Sequence, residues 1–433
     1  MPFTDPNQED IFKRRESQVR SYCRSFDTVF VKAQGSEMTD ADGKTYIDFL
    51  AGCSTLNYGH NDPDMKAALI EHISRDGVAH GLDMFTDAKA EWLGAFEEII
   101  LKPRGMDNYK IMMTGPTGTN SVEAAMKLAR KITGRNNIIA FTNGFHGMTM
   151  GALSLTGNAA KRGGAGTNGG GLGGVTHLPY EGAFGDDVDT LEQIEMMLNN
   201  PSSGVDAPAA FIFEPIQGEG GLNAASNEWM QAIARLAKEH GALLIVDDIQ
   251  SGCGRSGTYF AFEEAGIKPD LVTQAKSLSG MGLPFAALLI KEEHDVWNPA
   301  EHNGTFRGNN HAFVTSRVAF EKFWKDDKLS KDVKEKADIL TAALKEIVDL
   351  IPGSRLKGRG MMQGVDVGTG DLAADICSRA FEKGLIIETS GADDEVVKIL
   401  APLTTPVETF RKGLDILIEA AREAAANTKI AAE

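Results

Sequence analysis

From about residue 105 the chain alternates short, mostly apolar runs with longer segments whose apolar residues recur every three or four positions. The runs Tyr109–Met113, Ile138–Phe141, Ala209–Phe213, Ala242–Val246, Leu271–Thr273 and Phe285–Ile290 predict strands. Between them, the segment after Thr114–Asn120 places Val122, Ala125, Met126 and Ala129 on one helical face, with Glu123 and Lys127 one turn apart on another. Thr190–Leu198 and Trp229–His240 also predict helices, the second stopped by Gly241. Wholly apolar strands separated by amphipathic helices predict an α/β fold: a mostly parallel sheet with helices on both faces. Residues 1–20 are charged and predict a surface helix or arm. Residues 27–50 alternate as strands do around Asp42-Gly43, a hairpin turn signal. Beyond about residue 320 the pattern is helical (Lys331–Leu350, Leu372–Lys383, Val407–Ala425) with short strands between, which predicts a second, smaller α+β lobe.

At 433 residues and 42% apolar, the chain can bury a large core and is not disordered. No stretch approaches the ~20 apolar residues of a membrane span. The polar start, Met1–Pro6, lacks an export pattern. Cys23, Cys53, Cys253 and Cys377 fit neither a disulfide framework nor a metal-ligand spacing, so no metal is expected and a reducing cytoplasm is. A net charge of −17 repels polyanions and argues against nucleic acid as a partner. The 47 glycines exceed the roughly 30 usual at this length. They concentrate in Gly163–Gly174, read as a flexible or ligand-capping loop. That stretch lacks the Lys-Ser/Thr of a nucleotide loop, and no Gly-x-Gly-x-x-Gly joins a strand to a helix, which excludes a nucleotide-binding dehydrogenase.

Ligands of a parallel sheet bind beyond the carboxyl ends of its strands. Thr117-Gly118-Thr119-Asn120, after the first strand, opens a helix; its free amides suit a phosphate or simply form a cap. Asn143-Gly144-Phe145-His146-Gly147, after the second, presents an aromatic ring that either faces a flat ligand or packs in its loop. Asp247, directly after five apolar residues, needs a cationic partner unless it only caps a turn. Lys276, at the mouth of Leu271–Thr273, is costly to charge and so suited to act as a nucleophile, or it reaches out to water. Each signal has an ordinary explanation. Together they describe one ligand, with a phosphate, a flat ring, a basic ring nitrogen and an aldehyde: pyridoxal phosphate.

Glu214-Pro-Ile-Gln-Gly-Glu-Gly-Gly221, Leu244-Ile-Val-Asp-Asp-Ile-Gln250, Gly252-Cys-Gly-Arg-Ser-Gly257 and Lys276 resemble the signature of class III pyridoxal-phosphate aminotransferases. Asn57-Tyr-Gly-His60, Phe145-His-Gly147 and Thr305-Phe-Arg-Gly-Asn309 also match, over about residues 27 to 425. The resemblance implies fold type I: a large domain (66–320) with a mostly parallel seven-stranded sheet, a small α+β domain (321–433), and an N-terminal segment (1–65) packing with the small domain. It implies a homodimer with shared active sites, and a higher oligomer is compatible with it. Lys276 matches the lysine that bonds the cofactor. Asp247 matches the carboxylate on the pyridine nitrogen. Ile249 and Phe145 match the residues on the two ring faces, with His146 beside them, and Gln250 the one near the ring hydroxyl. Gly118 and Thr119 match the phosphate contacts of one subunit and Thr305 that of its neighbour. Glu219 matches a gating glutamate.

Three positions depart from the wider family. Lys398, ahead of Ala401-Pro402-Leu403, stands where many members carry arginine, and lacks its planar fork. Arg307 replaces a usual glycine and suits either a substrate carboxylate or a structural ion pair. Cys53 falls where ornithine-using relatives have a substrate-contacting tyrosine, and nothing nearby would make it a nucleophile. Asp48–Gly52, His80–Met84, Thr114–Asn120 and His302–Asn310 resemble the branch that exchanges the 4-amino group of 2,4-diaminobutyrate with 2-oxoglutarate at the start of ectoine biosynthesis. The expected partners are therefore a small amino donor and a 2-oxo acid; ornithine, 4-aminobutyrate or a polyamine is the alternative donor. A non-enzymatic cofactor-binding protein on the same scaffold is disfavoured by the intact Lys276 and Asp247.

Overall fold

The computed structural model describes residues 7–165, 173–185 and 187–432. Its central sheet has seven strands: β1 (Tyr109–Met113), β2 (Asn137–Phe141), β3 (Val175–Leu178), β4 (Pro208–Phe213), β5 (Leu243–Asp247), β6 (Leu271–Gln274) and β7 (Ala287–Lys291). Their spatial order is β1-β7-β6-β5-β4-β2-β3. All run parallel except β7, which pairs antiparallel with both β6 and β1. The central strands β4 and β5 are apolar up to Asp247 because both faces are covered. Ile138, Ala140, Leu243 and Ile245 pack with Val122, Ala125 and Ala129 of helix Gly118–Thr133. The alternate residues Ile139, Phe141, Leu244 and Val246 face the opposite core, which holds Trp229 of helix Asn227–Glu239.

Among the described residues, two four-stranded sheets and a two-stranded ribbon, Ile216–Gln217 with Asn223–Ala224, accompany this one. Strands Phe30–Gln34, Glu37–Asp40 and Thr45–Asp48 form an antiparallel set joined by Leu385–Ile386. The N-terminal segment thus shares a sheet with the C-terminal part of the chain. The other sheet contains Arg355–Arg359, Met362–Asp366, Val396–Ile399 and Glu388–Ser390. Arg255 ties these regions together from a fully buried position. Its guanidinium donates to Asn57 Oδ1 at 2.5 Å, Ala401 O at 2.5 Å and Met361 O at 3.1 Å.

Several expectations differ from the structure in detail. Strand β3 is not evident in the sequence pattern. Glu123 and Lys127 do not pair with each other: Glu123 accepts from Thr149 Oγ1 and the Gly151 amide, while Lys127 donates to Glu301 O at 2.6 Å. The charged start contains a helix, Asn7–Arg15, exposed over residues 11–15. Residues 166–172, most of the glycine-rich stretch, lie outside the described residues, and with them the loop expected there. Among the described residues no helix is long and apolar enough to cross a membrane.

Candidate active site

The carboxyl ends of β1, β2, β4, β5 and β6 open on one cavity of about 370 Å³. Five strand ends converge because the strands run parallel and in register, with Asp247 opposite Thr273. Gly118, Thr119, Phe145, His146, Glu219, Asp247, Ile249, Gln250 and Lys276, widely separated in sequence, all line it. A larger cleft of about 930 Å³ lies between Tyr180–Leu191 and Arg355–Arg359 and contains none of them.

Lys276 follows β6 and opens a short turn, Lys276–Ser279. Its φ of 52° lies in the left-handed region, a strained conformation for a side-chain-bearing residue. Its neighbours pin the turn: Ser277 Oγ donates to Ser54 O at 2.7 Å, and Thr315 Oγ1 to Ser279 O at 2.6 Å. The backbone therefore holds the lysine stem where the fold requires it.

Asp247 is buried at the end of β5. Its Oδ1 accepts from Thr273 Oγ1 at 3.0 Å, and its Oδ2 lies 2.7 Å from His146 Nδ1. Burial alone would lower the His146 basicity, but the hydrogen bond and charge of Asp247 outweigh it and raise the imidazole above its ordinary value. The hydrogen-bond partner of Asp247 thus comes from the loop after β2, two strands away across β4. Glu214, at the end of β4, also lines the cavity; burial pushes its carboxyl above the usual range, helped by Asp247 and opposed by His146.

Glu219 and Gln250 form the opposite wall. Gln250 Nε2 donates to Glu219 Oε1 at 3.1 Å and to Cys53 O at 3.3 Å. Lys398 sits behind them, fully enclosed, 2.9 Å from Glu219 Oε1 and 2.9 Å from Glu388 Oε1. Burial works to raise the Glu219 carboxyl, but Lys398 and Lys276 outweigh it and hold it at about 2. Cys53 lies at the edge of this wall, its thiol pushed up to about 11 by burial and by Glu388. It is therefore no nucleophile at neutral pH.

The depressed carboxyl makes a pH prediction. A carboxylate held below its ordinary value of 4.5 contributes stability that is complete above that value and is lost as pH falls through about 2. Glu219→Gln should therefore lower the denaturant midpoint at pH 6, and the gap from the unsubstituted protein should close as pH falls from 4.5 towards 2. Denaturant titrations at stepped pH measure it.

Thr305 and Arg307 lie elsewhere. Thr305 is exposed, on a loop whose Gly304 packs beside Gly115. Arg307 pairs with Asp83 and donates to His302 O at 3.5 Å. In this chain the arginine makes an ion pair on its own surface. Three residues of the site were not singled out from the sequence: Glu214, Glu388 and Tyr22, whose hydroxyl lies 2.8 Å from Cys53 Sγ. Glu214 carries the same signal as Asp247, a carboxylate directly after an apolar strand.

The sequence profile of class III aminotransferases matches residues 20–421. The chain belongs to the class III aminotransferases. It is 52% identical to diaminobutyrate–2-oxoglutarate transaminase of Marinococcus halophilus, covering 99% of each chain. It is 51% identical to the enzyme of that name from Halomonas elongata, over 96% of this chain and 99% of that one. Among solved structures it is similar to a transaminase from Virgibacillus, with a TM-score of 0.85 at 19% identity, covering 98% of this chain and 100% of that one. It is also similar to the ornithine aminotransferase of Toxoplasma gondii, at TM-score 0.80 and 26% identity, over 98% and 96% of the two chains. As a class III aminotransferase it is a pyridoxal-phosphate enzyme of the α/β type.

The cavity suits that cofactor on its own terms. The Gln250 carbonyl oxygen is buried without a hydrogen-bond partner, a cost that a hydroxyl donor would remove. A Cβ at Gly118 would come within 2.8 Å of Ile249 Cδ1, so glycine keeps the floor between helix and cavity open. Thr117 gives helix Gly118–Thr133 no side-chain cap, and the Asn120 amide donates to Thr117 O at 3.0 Å, which leaves the Gly118 and Thr119 amides suited to an anion. The donor set therefore matches a phosphorylated, hydroxyl-bearing ring with a basic nitrogen.

Proposed function

We propose that this aminotransferase exchanges the 4-amino group between 2,4-diaminobutyrate and 2-oxoglutarate, with aspartate 4-semialdehyde and glutamate as the other pair. In the biosynthetic direction glutamate supplies the nitrogen, the first step of ectoine synthesis. The observation that carries the reading is near-full-length identity of 51–52% to enzymes with that name. The absence of a tyrosine at Cys53 and the enclosed Lys398 add to the case against ornithine.

Lys276 would be the amine that holds the cofactor and the base that moves a proton between donor and cofactor carbons. Bound pyridoxal phosphate supplies an aldehyde that accepts the amino group and a ring that draws electrons from the carbon losing its proton. Asp247, backed by His146, would keep the ring nitrogen protonated. Ile249 and Phe145 would supply the apolar walls, and the Gln250 oxygen would accept the ring hydroxyl. The Gly118 and Thr119 amides would hold the phosphate. Thr305, exposed in one copy, would complete that site in a second. Phe85, Met84 and Phe306 are also exposed and apolar, which suits a homodimer. We carry forward the division into 1–65, 66–320 and 321–433 on the same footing. The four cysteines are unpaired, which suits a reducing cytoplasm.

A donor panel with 2-oxoglutarate tests the substrate. Diaminobutyrate should exceed ornithine, 4-aminobutyrate and putrescine in kcat/KM by at least about tenfold. A clear preference for ornithine would overturn the assignment.

A further inference from the structure

We propose that Glu388 selects the amino donor: with Glu219 and Lys398 it forms a net-negative wall that receives the second ammonium group of a diamino acid. The proposal rests on the donor reading above and names the residue that enforces it.

Lys398 is 0% exposed and lies 2.9 Å from an oxygen of each carboxylate. Lys276, the other cation acting on both carboxylates, would be bonded to the cofactor in the holoenzyme; two carboxylates against Lys398 alone then leave one formal negative charge in an enclosed place, which is costly unless a cation joins it. The group is not sealed. Glu219 lines the cavity entered by Lys276 and is 30% exposed, and Glu388 is 10% exposed. Among the described residues, Glu388 Oε2 accepts only from a thiol, Cys53 Sγ at 3.8 Å, a weak donor. Ser390, two residues further along the same strand and hence on the same face, is buried with an unpartnered hydroxyl. Burial and the nearby Glu219 push the Glu388 carboxyl up against the pull of Lys398, a cost that a bound ammonium removes.

The chemistry separates two donors of equal length. 4-Aminobutyrate has a reacting amine and a carboxylate, and its carboxylate meets a negative wall. 2,4-Diaminobutyrate differs from it by one ammonium, which this wall can pair. A purely structural Glu388, present only to neutralise Lys398, would treat the two donors alike.

The test compares kcat/KM for these two donors, with 2-oxoglutarate as acceptor, in the unsubstituted holoenzyme, Glu388→Gln and Glu388→Asp. The diaminobutyrate to 4-aminobutyrate ratio should fall at least about tenfold in Glu388→Gln, mainly through KM, and less in Glu388→Asp. Calorimetry gives the binding counterpart: L-2-aminobutyrate, which keeps the ammonium but lacks the 4-amine, should bind Glu388→Gln holoenzyme more weakly, and butyrate should not. A ratio and an L-2-aminobutyrate affinity unchanged within about twofold overturn the proposal. If Glu388→Gln yields no folded holoenzyme, an unchanged ratio in Glu388→Asp does the same. Unsubstituted enzyme that turns over diaminobutyrate while the ratio ignores Glu388 refutes this inference alone; no turnover of diaminobutyrate refutes the donor reading and this inference with it.

Discussion

Lys276→Ala should lower transamination by at least about 10⁴-fold and remove the absorption at the violet edge of the visible range that cofactor-loaded enzyme shows. The lysine stem is fixed by a turn whose neighbours bond to Ser54 and Thr315, and its φ of 52° is a conformation the chain adopts at a cost. Alanine at this position keeps the cavity and the Asp247–His146 pair but leaves no amine at the end of β6. The fold should survive, because Lys276 is not part of the packed core. Steady-state rates and a visible spectrum of the reconstituted variant check both halves. A variant that keeps the chromophore and turns over would remove Lys276 from the chemistry.

Asp247→Asn should reduce kcat by about 10³-fold with a much smaller change in KM. The amide preserves the shape but removes the negative charge from a buried site. That charge raises His146, so both members of the pair would change together. The phosphate contacts proposed for Gly118 and Thr119 do not involve the Asp247 side chain, so cofactor loading should persist at raised concentration. Rates measured at saturating cofactor separate the electrostatic effect from simple loss of binding. A loss below tenfold would show that Asp247 is only a structural partner for His146.

The central sheet is legible because strands buried on both faces read as continuous apolar runs, such as Leu243–Val246. Strand β3 escaped because it is an edge strand of four half-polar residues, Val175–Leu178, paired only with β2 and preceded by glycines. The direction of β7 was equally hidden: an apolar run carries no sign, and the connection from β6 holds only the turn Lys276–Ser279 and no crossover helix. At the site, Asp247 stands out because it ends an apolar run, and Lys276 because it sits at the mouth of a buried strand. Glu388 has no such local mark. It meets Lys398 across paired strands of the small sheet, and Lys398 links it to Glu219, far away in sequence, so tertiary packing alone creates that cluster. The partnership of His146 with Asp247 was likewise invisible until the order of β2, β4 and β5 was known.

The identity of the amine that reacts with the cofactor decides the chemistry of the site. Loading the protein with pyridoxal phosphate, reducing it with borohydride and mapping the labelled peptides by mass spectrometry answers this directly. A single phosphopyridoxyl label on Lys276 is the predicted result. A protein that takes up no label, or carries it on another lysine while Lys276 stays free, would contradict the account.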